Sequence, residues 1–342
     1  MRNLKRALSL ALASVMLLGM MVVGSSAAFT DADKINNDEA VAIAAGLGIF
    51  DGYEDGSFGP EGTVTRAEAA VVIDKILHGT DIDPTIFTGT GKFTDVPAWA
   101  EGWVNLAASM NIIVGYGDGK FGPSDKVTTV QFATMLLKAL GYYTYEGALG
   151  ADWQLEVTSK ATALGLYGDM VLAMNAPLSR EDMAEMTMNA LWAQRVAYDD
   201  YRGLYVKNSD RNVVVTNGTV DVDNTLAQNT FGLYSVEGIV VANGMTVEAL
   251  SASLKSEEQT TVLFTEDTDL DQDGKFEYDE GDEYDFEIDT DLDFIGHSVK
   301  VYYKLVKKAP VVFAVVDQAT LVATISYDSN TTKLAGCGLT LF

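Results

Sequence analysis

The chain has 342 residues, a formal net charge of −26 and one cysteine, and 48% of its residues are hydrophobic. Because a chain with this much negative charge repels nucleic acid and anionic lipid, we expect no nucleic-acid partner. Because the lone Cys337 cannot form an intramolecular disulfide, the fold must be stabilised by its core, by a metal ion or by both.

The first 28 residues predict a signal peptide. Three basic residues among the first six precede an apolar stretch from 8 to 23, and residues 26–28 (Ser-Ala-Ala) are typical of a cleavage site. The alternative is a retained membrane anchor, although the stretch is short for a span. We expect an exported chain that begins near Phe29 and has no membrane segment after cleavage.

Two imperfect copies of one unit follow. "YEDGSFGPEGTVTRAEAA" begins at Tyr53 and "YGDGKFGPSDKVTTVQFA" at Tyr116. Apolar residues at helical spacing on both sides of the Gly-rich turn predict helix, turn, helix in each unit. The units span 29–78 and 93–142, and a weaker third spans 151–195. Since one apolar stripe per helix cannot be buried within a single unit, we expect the three units to pack against each other.

The second helix of each unit begins at a capping residue. A Thr or Ser three residues before an acid or amide satisfies backbone N–H groups that would otherwise lack a partner. The pairs are Thr65 with Glu68, Thr128 with Gln131 and, more loosely, Ser179 with Asp182. These residues therefore have a structural explanation.

The arginine beside the cap does not share that explanation. A cation in the first helical turn faces the positive end of the helix dipole, which is mildly unfavourable. Unpaired N–H groups at a helix start favour an anion, and a guanidinium adds a planar donor pair for a carboxylate or phosphate. Arg66 and Arg180 are therefore predicted to bind an anion, and the second unit, with Thr129 instead, to have lost that site. The alternative is a solvated or ion-paired arginine.

The segments "GIFDGYEDGSFGPEGTVTRAEAA" and "FTDVPAWAEGWVNLAASMNIIVGYGDGKFGP" resemble the S-layer homology domain family, over residues 29 to about 192. The resemblance implies a pseudo-threefold helical bundle that anchors an exported protein non-covalently to secondary cell wall polymer, an anionic and often pyruvylated glycan. It implies that Arg66 and Arg180 contact the polymer and that Asp31 and Asp95 lie near the groove. Thr129, "SRED" in place of "TRAE" and the lack of Trp in the first unit depart from the family pattern, so we expect one or two working grooves.

Residues 200–342 change to short β-branched and aromatic runs punctuated by Asn-Gly and Gly, which predicts a β domain, a sandwich or a barrel. The fold class is thus multidomain, an all-α bundle followed by a mostly-β domain. "NTFGLYSVEGIVVAN" and "DLDFIGHSVKVYYK" resemble segments that follow these repeats in clostridial-type surface proteins. The sequence ends directly after a predicted strand, which is typical of a fragment or a truncated reading.

Residues 269–280, "DLDQDGKFEYDE", match an EF-hand calcium loop. The expected Ca²⁺ ligands are the carboxylates of Asp269, Asp271, Asp273, Glu277 and Glu280 and the carbonyl of Lys275. The flanking segments read as strands, so we expect a structural calcium loop between strands. The alternative is a solvated acidic loop, and "DTDLD" at 289–293 is a poorer site without Gly.

No nucleophile or metal motif accompanies the two histidines, His78 and His297, and no phosphate-binding loop is present, so we predict a protein that is not an enzyme. We expect a secreted protein of the bacterial cell wall or S-layer, with possible self-assembly into a lattice. The alternatives are an anchored binder of carbohydrate or another ligand, or the remnant of a cell-surface hydrolase.

Overall fold

The computed structural model describes residues 21–23, 29–145, 147–171, 173–199, 204–209, 212–214, 225–244, 259–272, 275–321, 324–327, 332–335 and 340–341. Most of the expected signal peptide, Cys337 and Asp273 lie outside these residues. The chain forms two compact units, divided between Phe231 and Gly232, and the short strand β1 (Met21–Val23) belongs to the second.

The first unit is mainly helical. Its helices are α1 (Asp38–Gly46), α2 (Arg66–His78), α3 (Ala98–Ser109), α4 (Thr129–Ala139), α5 (Trp153–Ala163), α6 (Arg180–Trp192) and α7 (Leu226–Phe231). Strands β2 (Val196–Asp199), β3 (Leu204–Ser209) and β4 (Asn212–Val214) form a small antiparallel sheet. The predicted helical bundle is confirmed. No helix of the described residues has the length and apolar character needed to cross a membrane.

The helix boundaries follow from local chemistry. Full capping boxes start α2 at Thr65 and α4 at Thr128, whereas Ser179 caps α6 through its hydroxyl alone. The first helix of each repeat ends at a residue in the left-handed region, which releases the chain into the turn. These residues are Gly48, Asn111 and Gly165, with φ of 75°, 58° and 69°.

A closed ring of backbone hydrogen bonds joins the three repeats. Val64 N donates to Leu178 O (3.1 Å), Leu178 N to Val127 O (2.9 Å) and Val127 N to Val64 O (3.0 Å). All three side chains are buried. Around this ring α2 packs on α3, α4 on α5 and α6 on α1. The pseudo-threefold arrangement is therefore built into both the backbone and the helix packing.

Glu181 explains one departure from the family pattern. It stands where the first repeat has Ala67, and its carboxylate accepts hydrogen bonds from the backbone N–H groups of Asn36 and Asn37, the second at 2.7 Å. The Asn36 side chain adds a third bond at 3.2 Å. The acidic "SRED" sequence thus joins the third repeat to the start of the first.

The second unit is a mostly antiparallel sheet with strand order β1-β9-β8-β5-β6-β7. The further strands are β5 (Leu233–Ala242), β6 (Thr260–Phe264), β7 (Glu283–Phe286), β8 (His297–Val306) and β9 (Ala309–Leu321). A separate three-stranded sheet holds β10 (Thr324–Tyr327), β11 (Thr332–Ala335) and β12 (Thr340–Leu341). Among the described strands of this unit, β1 pairs with β9 in parallel and the other pairings are antiparallel. The mostly-β prediction is confirmed, and residues 269–280 lie in the connection between β6 and β7.

Candidate functional site

Arg66 lies at the start of α2 and reaches the turn of the second repeat. Its Nε donates to the carbonyl oxygen of Phe121 at 3.1 Å, and its Nη2 to that of Val114 at 2.8 Å. Its Cζ lies 4.6 Å from the ring centroid of buried Phe121 and 5.0 Å from that of Tyr116, which is 59% exposed. These contacts fix the guanidinium plane and use two of its five N–H donors.

Arg180 repeats this arrangement on the turn of the first repeat. Its Nη2 donates to the carbonyl oxygen of Asp51. Its Cζ lies 4.8 Å from the ring centroid of Phe58 and 4.9 Å from that of Tyr53. Each arginine therefore crosses from its own repeat to the aromatic turn of the next, and in each case one ring is buried and the other is half-exposed.

The expectation that these helix starts offer unpaired amides to an anion is wrong. The first two N–H groups of each helix donate to loop carbonyl oxygens of the neighbouring repeat. The bonds are Arg66 to Asp125 (2.9 Å), Ala67 to Pro123 (3.1 Å), Arg180 to Gly62 (2.8 Å) and Glu181 to Pro60 (3.1 Å). The capping hydroxyl takes the third N–H. Anion binding at these places must therefore rely on side chains.

Thr129 holds the same position in the second repeat without a cation. Its side chain is buried, and its hydroxyl donates to the carbonyl oxygen of Ala173 at 3.3 Å. Its backbone N–H donates to Ala176 O at 3.3 Å. The junction between the second and third repeats thus keeps its backbone bonds but has Thr129 at the position where the other two junctions have an arginine.

Asp31 and Asp95 act on the turns that the arginines contact. Asp31 accepts hydrogen bonds from Phe58 N (2.7 Å) and Gly59 N (2.9 Å), and Asp95 accepts two equivalent bonds at 2.8 and 2.9 Å. Partial desolvation raises the pKa of Asp31, but these N–H groups outweigh it and lower the pKa overall. In Asp95 the N–H of Phe121 is the main cause of the lowered pKa. Both carboxylates therefore shape the turns, and a direct ligand role for them stays a prediction.

A cavity of about 290 Å³ opens beside Arg66, and all three repeats line it. The second repeat supplies Tyr116, Gln131 and Lys138, and the third supplies Trp153. We call this cavity the Arg66 groove. Sequence reasoning missed Lys138 and Trp153, although Lys75 precedes Lys138 by the same repeat offset that relates Tyr53 to Tyr116.

The two equivalent lysines differ in their partners. Lys75 donates to the carbonyl oxygen of Gly48 at 2.9 Å and forms an ion pair with Asp51 at 3.0 Å. Lys138 donates to the carbonyl oxygen of Asn111 at 2.9 Å, but Val114 stands in the place of Asp51. Burial lowers the pKa of Lys138. Among the described residues no carboxylate lies within 4.0 Å of the charged nitrogens of Arg66 or Lys138.

The acidic loop of the second unit brings part of the predicted calcium ligands together. Carboxylate oxygens of Asp269, Asp271 and Glu277 lie within 4.8 Å of one another. Desolvation and the two aspartates raise the pKa of Glu277, and Lys308 pairs with Asp271 at 3.0 Å. Glu280 is not part of this group. Asp273 lies outside the described residues, and the role of the Lys275 carbonyl stays a prediction.

Both histidines have partners in the fold. Nδ1 of His78 lies 3.1 Å from the carbonyl oxygen of Asp74, one helical turn earlier. Nδ1 of His297 lies 2.8 Å from a carboxylate oxygen of Asp317 on the neighbouring strand.

Comparison with known proteins agrees with the helical architecture. Residues 28–70 and 92–133 match the family model of the S-layer homology domain. A cell surface protein of Thermoanaerobacter kivui is 32% identical over 205 residues, which cover 58% of this chain and 26% of that protein. A middle cell wall protein of Brevibacillus brevis is 31% identical over 195 residues (55% and 18%). A cellulosome-anchoring protein of Acetivibrio thermocellus is 37% identical over 91 residues (26% and 20%).

The chain thus spans about a quarter or less of the length of these relatives. The names of these three relatives describe surface, cell wall or anchoring proteins. The segments that match the family model contain Arg66 and the aromatic turns described above. The chain is therefore a surface protein of the bacterial cell wall or S-layer that carries S-layer homology domains.

Proposed function

We propose that this chain anchors to the cell wall by binding an anionic glycan of the secondary cell wall polymer, mainly in the Arg66 groove and more weakly beside Arg180. One observation carries the proposal. In a chain with a net charge of −26, Arg66 and Lys138 line one cavity and neither has a carboxylate partner among the described residues. A carboxylate such as the pyruvyl group of a sugar would complete that site.

The geometry suits such a ligand. Aromatic rings and two carbonyl oxygens already hold the guanidinium of Arg66, so little side-chain entropy is lost when its remaining N–H groups bind a carboxylate. Tyr116 and Trp153 offer ring faces for the apolar C–H side of a pyranose. Beside Arg180 the neighbouring Lys75 is already neutralised by Asp51, which makes that site the weaker one.

Wall retention tests the proposal. Arg66→Ala in the full-length protein should lower affinity for purified cell walls at least about tenfold, the cost of a lost charge-assisted hydrogen bond, and Arg180→Ala should lower it less. The double variant should be washed off, because two weak sites then no longer act together. Raised salt should lower the affinity of the unmodified protein for cell walls, because screening weakens its attraction to an anionic glycan. Lys92→Ala removes an exposed cation outside the Arg66 groove and serves as the control. Unchanged retention of the double variant would refute the proposal.

We also propose that the loop at 269–280 binds Ca²⁺ and stabilises the connection between β6 and β7. The convergence of Asp269, Asp271 and Glu277 supports this assignment, because Ca²⁺ prefers carboxylate oxygens. A bound ion would supply positive charge where three carboxylates repel one another. Lattice assembly at the cell surface remains a prediction.

Calcium should raise the unfolding temperature of the second unit. With a Kd of about 0.1 mM, 1 mM Ca²⁺ contributes about 1.4 kcal/mol, or about 5 °C for a domain of this size. Differential scanning calorimetry in calcium or chelator measures the shift. Asp269→Asn/Asp271→Asn should abolish it, and Asp293→Asn, in the poorer acidic segment, should not. A shift that persists in the double variant would contradict the assignment.

A further inference from the structure

A second pocket of about 510 Å³ lies next to the Arg66 groove. It is lined by Asn111, Lys138, Tyr143, Tyr145, Gly147, Ala148 and Leu149. Lys138 and Leu149 line both cavities, so the two adjoin at these side chains. A volume of this size falls in the range of small-molecule sites, about 300–1,000 Å³. A ligand bound at Arg66 and Lys138 can therefore extend into the second pocket.

Tyr143 has a backbone conformation that is unusual for an aromatic residue. Its φ is 55°, in the left-handed region that bulky side chains rarely adopt, and such residues cluster at ligand sites. Desolvation, with Glu156 and Tyr145 as further causes, raises the pKa of its hydroxyl, which therefore stays a hydrogen-bond donor at neutral pH. Tyr145 is 36% exposed.

The first repeat has no such pocket residues by sequence. The segment that follows α2, residues 79–83, reads Gly-Thr-Asp-Ile-Asp and contains no aromatic side chain. The tyrosine pair is therefore specific to the Arg66 groove. It distinguishes this groove from the Arg180 site beyond the difference between Lys138 and Lys75.

We propose that Tyr143 and Tyr145 form a second subsite, which holds the uncharged sugar next to the one whose carboxylate binds Arg66 and Lys138. This inference rests on the proposed function. Among the residues that the structure describes, Lys138 is the one cation of this lining, and Glu156 is near enough to Tyr143 to help raise its pKa. A second anionic group is therefore disfavoured in this pocket, and a neutral pyranose is favoured. Both tyrosine side chains line the pocket and give it aromatic surface, and Gly147 and Ala148 add backbone to its lining.

Oligosaccharides should therefore bind this groove more tightly than a single charged sugar. We expect the two aromatic contacts together to raise the affinity about tenfold, which corresponds to about 1.4 kcal/mol. The Arg180 site should show no such dependence on chain length, because residues 79–83, directly after α2, include no aromatic side chain.

The test compares two probes on the full-length protein carrying Arg180→Ala, so that one groove is read. The probes are a pyruvylated N-acetylhexosamine and purified wall-polymer fragments of at least two repeating units. Tyr143→Asn/Tyr145→Ala removes both rings, and Asn tolerates the left-handed backbone. In this variant we expect the affinity for the fragment to fall about tenfold and the affinity for the monosaccharide to fall less than about twofold. Tyr143→Phe/Tyr145→Phe keeps both rings and should retain fragment binding. Calorimetric titration measures the affinities.

The outcomes separate the two claims. Arg66→Ala in the same background should no longer bind either probe. If both probes still bind, the proposed function and the subsite are both refuted. If Arg66→Ala loses both but the tyrosine variant loses neither, only the subsite is refuted. Equal loss of both probes in the tyrosine variant would indicate a merely structural role and would also overturn it.

Discussion

The helical unit should lose stability as the pH rises from about 5 to about 8, and replacing Asp74 with asparagine should abolish most of that loss. Asp74 in α2 is completely buried, and neither of its carboxylate oxygens has a hydrogen-bond partner. Burial raises its pKa from 3.8 to about 8. The folded protein therefore holds this carboxyl in its neutral form at physiological pH.

The direction of the effect follows from proton binding. Between the unfolded pKa of 3.8 and the folded pKa of about 8, the folded state binds a proton that the unfolded state has released. Raising the pH across this window therefore favours unfolding, by up to about 1.4 kcal/mol per pH unit. Below the window the carboxyl is neutral in both states, and above it the loss is complete.

The four tryptophans make the measurement selective, because Trp99, Trp103, Trp153 and Trp192 all lie in the helical unit. Urea unfolding followed by tryptophan emission should show the slope in the unmodified protein and a nearly flat profile in Asp74→Asn. Asp74→Leu should raise the free energy of unfolding by about 3 kcal/mol at pH 8, because it removes an unsatisfied buried carboxyl. Leucine already occupies the equivalent position, Leu137, in the second repeat.

Asp81→Asn, at an exposed site, controls for a change of net charge alone. An Asp74→Asn profile as steep as that of the unmodified protein would show that Asp74 is already ionised in the folded state. The explanation from burial would then be wrong.

The repeats in the sequence predicted the helical unit well, because caps and apolar periodicity act within a few residues. Thr65 and Thr128 begin their helices as expected, and the positions of Arg66, Arg180 and Thr129 follow from the repeat alignment. The missed features are non-local. Only the assembled ring brings loop carbonyl oxygens onto the helix-start amides and leaves those amides unable to bind an anion.

Lys138 illustrates the same limit within the site. Its significance depends on a comparison with Lys75, and that comparison is informative only when Asp51 and Val114 are seen beside the two ammonium groups. In the second unit, β-branched runs identified strands, but their order depends on distant pairings such as β5 with β8. Periodicity along the chain does not encode which strands become neighbours.

Exchanging the residues at positions 51 and 114 should exchange the strengths of the two sites. Val114→Asp, with Arg180→Ala, should lower the affinity of the Arg66 groove for wall polymer by about a hundredfold. The new carboxylate would pair with Lys138 as Asp51 pairs with Lys75 at 3.0 Å, and it would also repel an anionic ligand. Val114 is 56% exposed, so the change should leave the fold intact.

The reverse change, Asp51→Val with Arg66→Ala, should release Lys75 and strengthen the Arg180 site, by about tenfold if the ammonium group then contacts the ligand. Val114→Asn and Asp51→Asn provide controls of similar size without the charge, and the Val114→Asp effect should shrink in high salt because screening weakens the repulsion. Calorimetric titration with polymer fragments measures each affinity. If Val114→Asn lowers the affinity as much as Val114→Asp, the shape of the groove rather than the charge of its two cations determines binding, because the two substitutions differ only in charge.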